Sequence, residues 1–220
     1  MHNRVTRADL QSGVELADAM APQFIAHAAP LHFRVAESLS ERQAIYRLRY
    51  QVAVEHGWES SVALDSPDGL VRDHYDEDAL HIAGWNDEQV IAASRLVFPR
   101  EDRLLPTEEL FGIEMEPRGQ VVDWSRLIVA RDYSNLEHRV FAALLSRSWL
   151  EMRSRGFSML CGDLSRGMIR LYRRLGLTVH LLGPARLYWG EARYPARVTP
   201  PIEAKPESLA PWLLSKSARQ

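Results

Sequence analysis

Between Val121 and Val129 the chain reads VVDWSRLIV, an apolar, β-branched run with an aspartate and an arginine three positions apart. Such a run fits a buried strand, and a buried strand cannot carry unpaired charge cheaply. Strict alternation would send Asp123 and Arg126 to opposite faces of a sheet. For both to serve one site an extra residue, a β-bulge, must break the alternation; without one, one of the two charges serves only structure. The run then passes through ARDYSNLEHR, with no glycine, into a long amphipathic stretch. There Val140, Phe141, Leu144, Leu145, Trp149 and Met152 recur at helical spacing before Gly156.

The flanking segments place this strand in a larger sheet. LHFRVAE (31–37) alternates as a strand, and the capping-box spacing of Ser40 and Gln43 opens a helix that Gly57 ends. WESSVALDSPDGLVRDHYDEDA is polar and aperiodic, a loop of the length that is usually functional or disordered. LHIAGW and QVIAASRLVF read as two strands around the turn NDE, and LLPTEELFG as a short helix with Thr107 as N-cap. FSMLCGD is a further strand, SRGMIRLYRRLG a helix between Ser165 and Gly176, and LTVHLLG and RLYWGEARYPARV two closing strands. Upstream, ADLQSGVELADAM predicts a helix ending near Pro22. This order implies an α/β (α+β) fold, a central mixed sheet with helices on both faces. The domain is expected over 31–198, with a helical extension at 1–30 and a Pro-rich tail at 199–220.

With 46% apolar and 25% charged residues and a net charge of −2, the 220-residue chain has a globular composition and no global attraction to nucleic acid. No run of 18 apolar residues occurs, and MHNRVTRADL lacks a signal-peptide hydrophobic region, so no membrane insertion and a cytoplasmic location are expected. The single Cys161 excludes an internal disulfide and reads as a buried strand residue. The eight histidines form no metal-ligand spacing; His74 and His81 read as hydrogen-bonded or surface groups, and no metal is expected. WSRL is not a nucleophile elbow, which removes Ser125 as a nucleophile, and there is no P-loop.

Six charges fall where the surroundings look apolar or structured: Arg49, Asp73, Asp76, Arg95, Asp123 and Arg126. Three acids and three bases permit a neutral network, which fits a structural salt-bridge cluster as well as it fits a functional site. Their context resembles a known group. LRYQVAVEHGW, RDHYD, ASRLVF, LLPTEELF and DWSRLIV occur in an order similar to the acyl-homoserine-lactone synthases and long-chain N-acyl amino acid synthases. Acyltransferases of bacterial surface-protein export systems belong to the same group. LYRRLGLTVHLLGPARLYWGEARYP resembles the closing segment of that group, so the similarity spans roughly 33–198. Three features depart from the lactone branch: Ala53 replaces a phenylalanine, Trp58 stands one residue early, and Asp123 replaces a glutamate.

The resemblance implies a GNAT acyltransferase fold and an acyl thioester donor, usually on acyl carrier protein. It places the group's charged positions on the same six residues, with Trp58 as the aromatic. Asp123 is then the first candidate base, acting with Arg95 and Arg126, while Arg49, Trp58, Asp73, Asp76, Trp124 and Ser125 bind substrate. By the same resemblance a β-bulge is expected near Trp124–Ser125, and a backbone N–H freed where two strands splay would stabilise the oxyanion. The glycine-free loop 130–139 favours carrier protein over coenzyme A, whose pyrophosphate usually sits on a Gly-rich loop; acyl-coenzyme A stays possible. Arg147, Arg153, Arg166, Arg170, Arg173 and Arg174 are candidates to dock the acidic carrier. No cofactor is implied beyond the acyl-carrier co-substrate. The acceptor would be an amino acid or, for a lactone synthase, S-adenosylmethionine. The rival from another class is a non-catalytic GNAT-like module that binds an acyl ligand.

Overall fold

Alternating burial and turn-forming residues produce one eight-stranded sheet, seen in a computed structural model that describes residues 7–58 and 67–200. In chain order the elements are α1 (Arg7–His27), β1 (His32–Val35), α2 (Leu39–Glu55), a 3-10 turn (His74–Glu77), β2 (Leu80–Asn86) and β3 (Gln89–Val97). There follow α3 (Pro106–Phe111), β4 (Val121–Val129), a second 3-10 turn (Arg131–Leu136), α4 (Glu137–Ser154), β5 (Met159–Ser165) and α5 (Arg166–Arg174). β6 (Thr178–Leu181), β7 (Arg186–Tyr188) and β8 (Glu191–Thr199) close the fold. The strands lie in the order β1-β2-β3-β4-β5-β8-β6, with β7 also on β8. Every neighbouring pair is antiparallel except β4–β5. Of the expected segments, part of the polar loop (59–66) and most of the tail (201–220) lie outside the described residues.

Helices cover both faces. On one, Trp124, Phe141, Leu144, Leu164 and Tyr172 pack between the sheet, α4 and α5. On the other, Ile45, Tyr46 and Val52 of α2 pack on Ala83, Ala93 and Ile128. Beside them, Leu105 and Met115 flank α3 over Val97, Val121 and Cys161. β4 departs from a regular paired strand in two ways. Its ladder with β5 holds only three pairs, Val121↔Met159 to Asp123↔Cys161, after which both strands line a cavity. Its register with β3 shifts between Ala93↔Ile128 and Arg95↔Ser125, so β4 carries one extra residue at Arg126–Leu127. The expected bulge therefore exists, but two positions later. Arg126 sits there at φ 56°, a left-handed conformation rarely adopted by a residue with a side chain.

Several boundaries differ from the sequence reading for identifiable reasons. The capping box opening α2 is formed by Ser38 and Glu41, not Ser40 and Gln43: Ser38 Oγ accepts from the Glu41 N–H and the Glu41 carboxylate accepts from the Ser38 N–H. Thr107 is not the cap of α3; that position is Leu105, and the Thr107 hydroxyl is used elsewhere. The final segment is a hairpin, not one strand, because Trp189 (φ 52°) and Gly190 (φ 70°) turn the chain between β7 and β8. The aperiodic polar loop contains the 3-10 turn at 74–77, capped by Asp73.

Pro22 does not stop α1, which continues to His27. Tertiary contacts outweigh the lost hydrogen bond. Asp18 accepts from Trp149 Nε1 at 2.7 Å and pairs with Arg153 Nε at 3.0 Å, and Val14 and Ala21 bury against Trp149, so α1 is clamped to α4. Asp18→Ala should cost about 1–3 kcal/mol by leaving the Trp149 N–H without its partner. Amide exchange in residues 11–27 should then accelerate while β3 and β4 keep their protection.

Candidate active site

Where β4 and β5 part, a cavity of about 530 Å³ opens. Charge gathers at one wall. Arg49 projects from α2, Arg95 from β3 and Arg126 from the β4 bulge, and the capped 3-10 turn supplies Asp73 and Asp76. Asp73 accepts from Arg95 Nη1 at 2.5 Å and from Arg126 Nη2 at 2.7 Å. Asp76 pairs with Arg49 at 2.8 Å and with Arg95 at 3.1 Å. Its second oxygen accepts from the Asp73 N–H at 2.8 Å, locking the turn. Burial pushes the Asp73 carboxyl up, but Arg95 and Arg126 outweigh it and hold the group well below the usual carboxylate range. Asp76, held in the same way by Arg49 and Arg95, is lowered too, so both acids are fixed anions.

His81 on β2 underpins this network. It is buried, its Nε2 lies 3.0 Å from the Asp76 carbonyl and its Nδ1 3.4 Å from Arg49 Nη2. A neutral ring donating from Nε2 and accepting at Nδ1 satisfies both contacts. Burial, with Arg49 beside it, lowers its pKa to about 4. His81 matches the hydrogen-bonded reading of the sequence; His74, at 62% exposure, matches the surface one.

Five of the six charged candidates therefore meet. Asp123 does not join them. The sequence predicts a half-buried base facing the site, yet Asp123 is fully buried and does not line the cavity. One carboxylate oxygen accepts from the Thr107 N–H at 2.9 Å and its hydroxyl at 2.5 Å, and Cys161 Sγ lies 3.7 Å away. Burial pushes the Asp123 carboxyl up despite Thr107. With three guanidiniums against two carboxylates, the network carries a net positive charge rather than the neutrality that all six charges would permit.

The aromatic and polar candidates line the cavity. Ser125, paired across the sheet with Arg95, accepts from Arg95 Nε at 3.4 Å. Trp58 meets Trp189 edge-on with ring centres 5.7 Å apart. The Arg126 guanidinium lies over the Trp189 ring at 4.7 Å, held between that face and Asp73. Trp124, Phe141, Leu164, Met168 and Tyr172 give the opposite wall an apolar character. Asp76 faces a neighbouring groove with Arg42 and Arg72 instead. Sequence reasoning missed Asp163, which lines the cavity from β5 with Arg193 of β8 at 3.9 Å.

The carrier-docking candidates divide. Arg147 is paired with Glu151 and Arg153 with Asp18, so both are engaged within the fold. Arg166, Arg170, Arg173 and Arg174 are exposed on α5, whose Met168 and Tyr172 line the cavity; Arg166 Nε donates to the Tyr194 hydroxyl at 3.0 Å. Among the described residues no group of metal-ligating side chains converges, and no helix is long and apolar enough to cross a membrane.

The sequence profile of the N-acyl amino acid synthase FeeM matches residues 44–196, which contain every residue lining this cavity. The chain belongs to the FeeM N-acyl amino acid synthase family. No curated protein matches its sequence closely enough to be counted as a relative. Among solved structures it is similar to FeeM from uncultured soil microbes, at 18% identity and a TM-score of 0.60 over 77% of this chain and 90% of that one. The acyl-homoserine-lactone synthase LasI aligns at 21% identity and a TM-score of 0.61 over 82% and 94%. BjaI, a coenzyme A-dependent acyl-homoserine-lactone synthase seen with S-adenosylmethionine and isopentyl-coenzyme A, aligns at 22% and 0.61 over 84% and 88%. The fold is GNAT-like, and the family is one of acyltransferases.

His81 gives the network a measurable signature. Between about pH 6.5 and 4 the unfolded chain binds a proton at His81 that the folded chain excludes, so this residue makes stability fall as pH falls. His81→Gln removes that contribution. The wild type should lose on the order of 3 kcal/mol relative to the variant between pH 7 and pH 4, read from urea unfolding at the two pH values.

Proposed function

We propose that the protein moves a medium or long fatty acyl chain from the thioester of acyl carrier protein to the amine of an amino acid or a close derivative. The observation carrying this reading is the cavity itself: at the β4–β5 splay an apolar wall faces a charged one. The apolar wall suits a hydrocarbon, and the charged wall suits a small zwitterion. Arg49, Arg95 and Arg126 outnumber Asp73 and Asp76, so the network has one positive charge to spare, complementary to an acceptor carboxylate. Among the described residues, Arg49 Nε is buried without a hydrogen-bond partner. Trp58 and Trp189 would close over the acceptor, and Ser125 would hydrogen-bond it. Strand N–H groups of β4 beyond Asp123, released from pairing with β5, would receive the oxyanion. Asp123 would brace this strand from behind through Thr107.

Carrier protein is favoured as donor by the basic face of α5 beside the cavity. The glycine-free turn at 131–136 before α4 lacks the Gly-rich loop that usually cradles the pyrophosphate of coenzyme A, which supports the same donor. Carrier protein and free amino acids are found together in the cytoplasm, so the protein would work in that compartment.

Purified protein incubated with acyl carrier protein loaded with C8–C18 chains, the twenty amino acids and S-adenosylmethionine should yield an N-acyl amino acid by mass spectrometry. Release of methylthioadenosine with a lactone would favour the lactone-synthase reading instead. Binding without any product would favour a non-catalytic acyl-binding module. The double variant Arg173→Glu/Arg174→Glu should raise KM for the carrier-bound donor about 10-fold, through lost electrostatic steering. The rate with the same acyl chain on free pantetheine should not change.

A further inference from the structure

Acyl transfer to an ammonium needs a group that can take its proton, and the charged network does not offer one. Protonating Asp73 would strand Arg95 and Arg126, and Asp76 is held by Arg49 and Arg95. Asp123 is walled off by Thr107. Glu109 and Glu191 stand at the rim, 56% and 43% exposed, engaged with Tyr75 and Arg193.

Asp163 is more buried than these two glutamates and more loosely paired. It lies two residues past Cys161, as Ser125 lies two past Asp123, and Asp123↔Cys161 is the last pair of the parallel ladder. Side chains repeat every second residue, so Asp163 and Ser125 share one face, level with each other across the opening. Asp163 lines the cavity and keeps 21% of its side chain exposed. Among the described residues no other side chain hydrogen-bonds its carboxylate, and its one ion contact is the long 3.9 Å approach of Arg193. Gly162 explains how β5 presents it so close to β4: a Cβ there would stand 2.9 Å from the Trp124 carbonyl.

Resting on the acyl-transfer reading, we propose that Asp163 is the acid–base group of that reaction, taking a proton from the acceptor ammonium and returning it to the leaving thiol. The carboxylate accepts one ammonium proton; the freed nitrogen lone pair forms the C–N bond as the carbonyl π electrons move to oxygen. Collapse of the tetrahedral adduct breaks the C–S bond, and the departing sulfur takes the proton from the Asp163 carboxylic acid. The second surplus N–H proton leaves to solvent, and one remains on the amide. The surroundings suit this cycle. Burial pushes the Asp163 carboxyl up to about 6, with Arg193 of β8 and Arg126 of β4 opposing the rise and Asp123 of β4 adding to it; the nearby Tyr172 phenol of α5 is kept neutral by its own burial. Below that value the group holds its proton and cannot act as base, so kcat/KM should climb with pH through about 6.

The test compares wild type with Asp163→Asn, close in size, using decanoyl-loaded acyl carrier protein and the twenty amino acids and following thiol release. The variant should lose about 10²- to 10⁴-fold in kcat/KM with little change in KM for the donor. Its limb near pH 6 should vanish, and activity should recover partly above pH 8, where an α-amine sheds its proton unaided. In ¹³C-aspartate-labelled wild type, the carboxyl signal missing from the variant should titrate near 6. A variant that keeps the wild-type rate and pH profile overturns this role while leaving acyl transfer standing, as does a titration midpoint below 4.5. A wild type that releases no thiol with any acceptor overturns the transfer reading and this role with it.

Discussion

Asp73 is the joint of this molecule. Its two carboxylate oxygens each take a guanidinium, Arg95 from β3 and Arg126 from β4, and its backbone N–H is received by Asp76, which in turn holds Arg49 of α2. One short turn thereby ties a helix and two central strands together at the point where the sheet opens. Removing one partner of a buried ion pair generally costs about 3–5 kcal/mol because the other is left charged and unpaired. The network is also the cause of the bulge's usefulness. A regular strand would carry Arg126 away from Asp73; the extra residue and left-handed backbone at Arg126 return its side chain to the cluster, and Trp189 covers its other face. The strain of that conformation is tolerable because an ion pair and a ring contact both depend on it.

How much of this was legible depends on whether the signal was local. The strands and helices are legible through period; the bulge is expected only through the fold resemblance, since it brings Arg126 to the site and leaves Asp123 sealed behind the strand. The charged set came from opposite charges in apolar context, and the ordered motifs gave the family. What failed were features decided by a neighbour. Pro22 reads as a helix stop, but Asp18 and Trp149 hold α1 to α4 across it. Ser40–Gln43 and Ser38–Glu41 flank the same helix start, and only the backbone chooses between them. Thr107 has the spelling of a cap, but its hydroxyl donates to Asp123 on β4. Arg147 and Arg153 look like a basic surface until Glu151 and Asp18 are seen beside them.

The case of Asp123 and Asp163 is the most instructive. Both are lone acids in apolar strand sequence, VVDWS and LCGDLS, and nothing in either string says which faces water. The fold separates them by where the β4–β5 ladder ends. Asp123 belongs to the last pair of that ladder, shut between Cys161 and Thr107; Asp163 comes two residues later, after the strands have parted. A motif drew attention to the first and none to the second, although the same signal, an acid in a strand that should be apolar, was present twice.

Under the proposed acyl transfer, that separation divides holding from reacting. A carboxylate that accepts two guanidiniums, as Asp73 does, is a fixed charge and cannot release its own arginines to collect a proton. A carboxylate sealed inside the sheet, as Asp123 is, can brace a strand but cannot reach a substrate. Between these limits lies a side chain with partial exposure, a distant counter-ion and an apolar wall opposite, and Asp163 occupies that position. The cost is that its charged form is disfavoured in the folded protein, so the site gives up some stability at neutral pH. Glycine at 162 and the short ladder are what make such a placement possible, since a longer β4–β5 pairing would seal Asp163 as it seals Asp123.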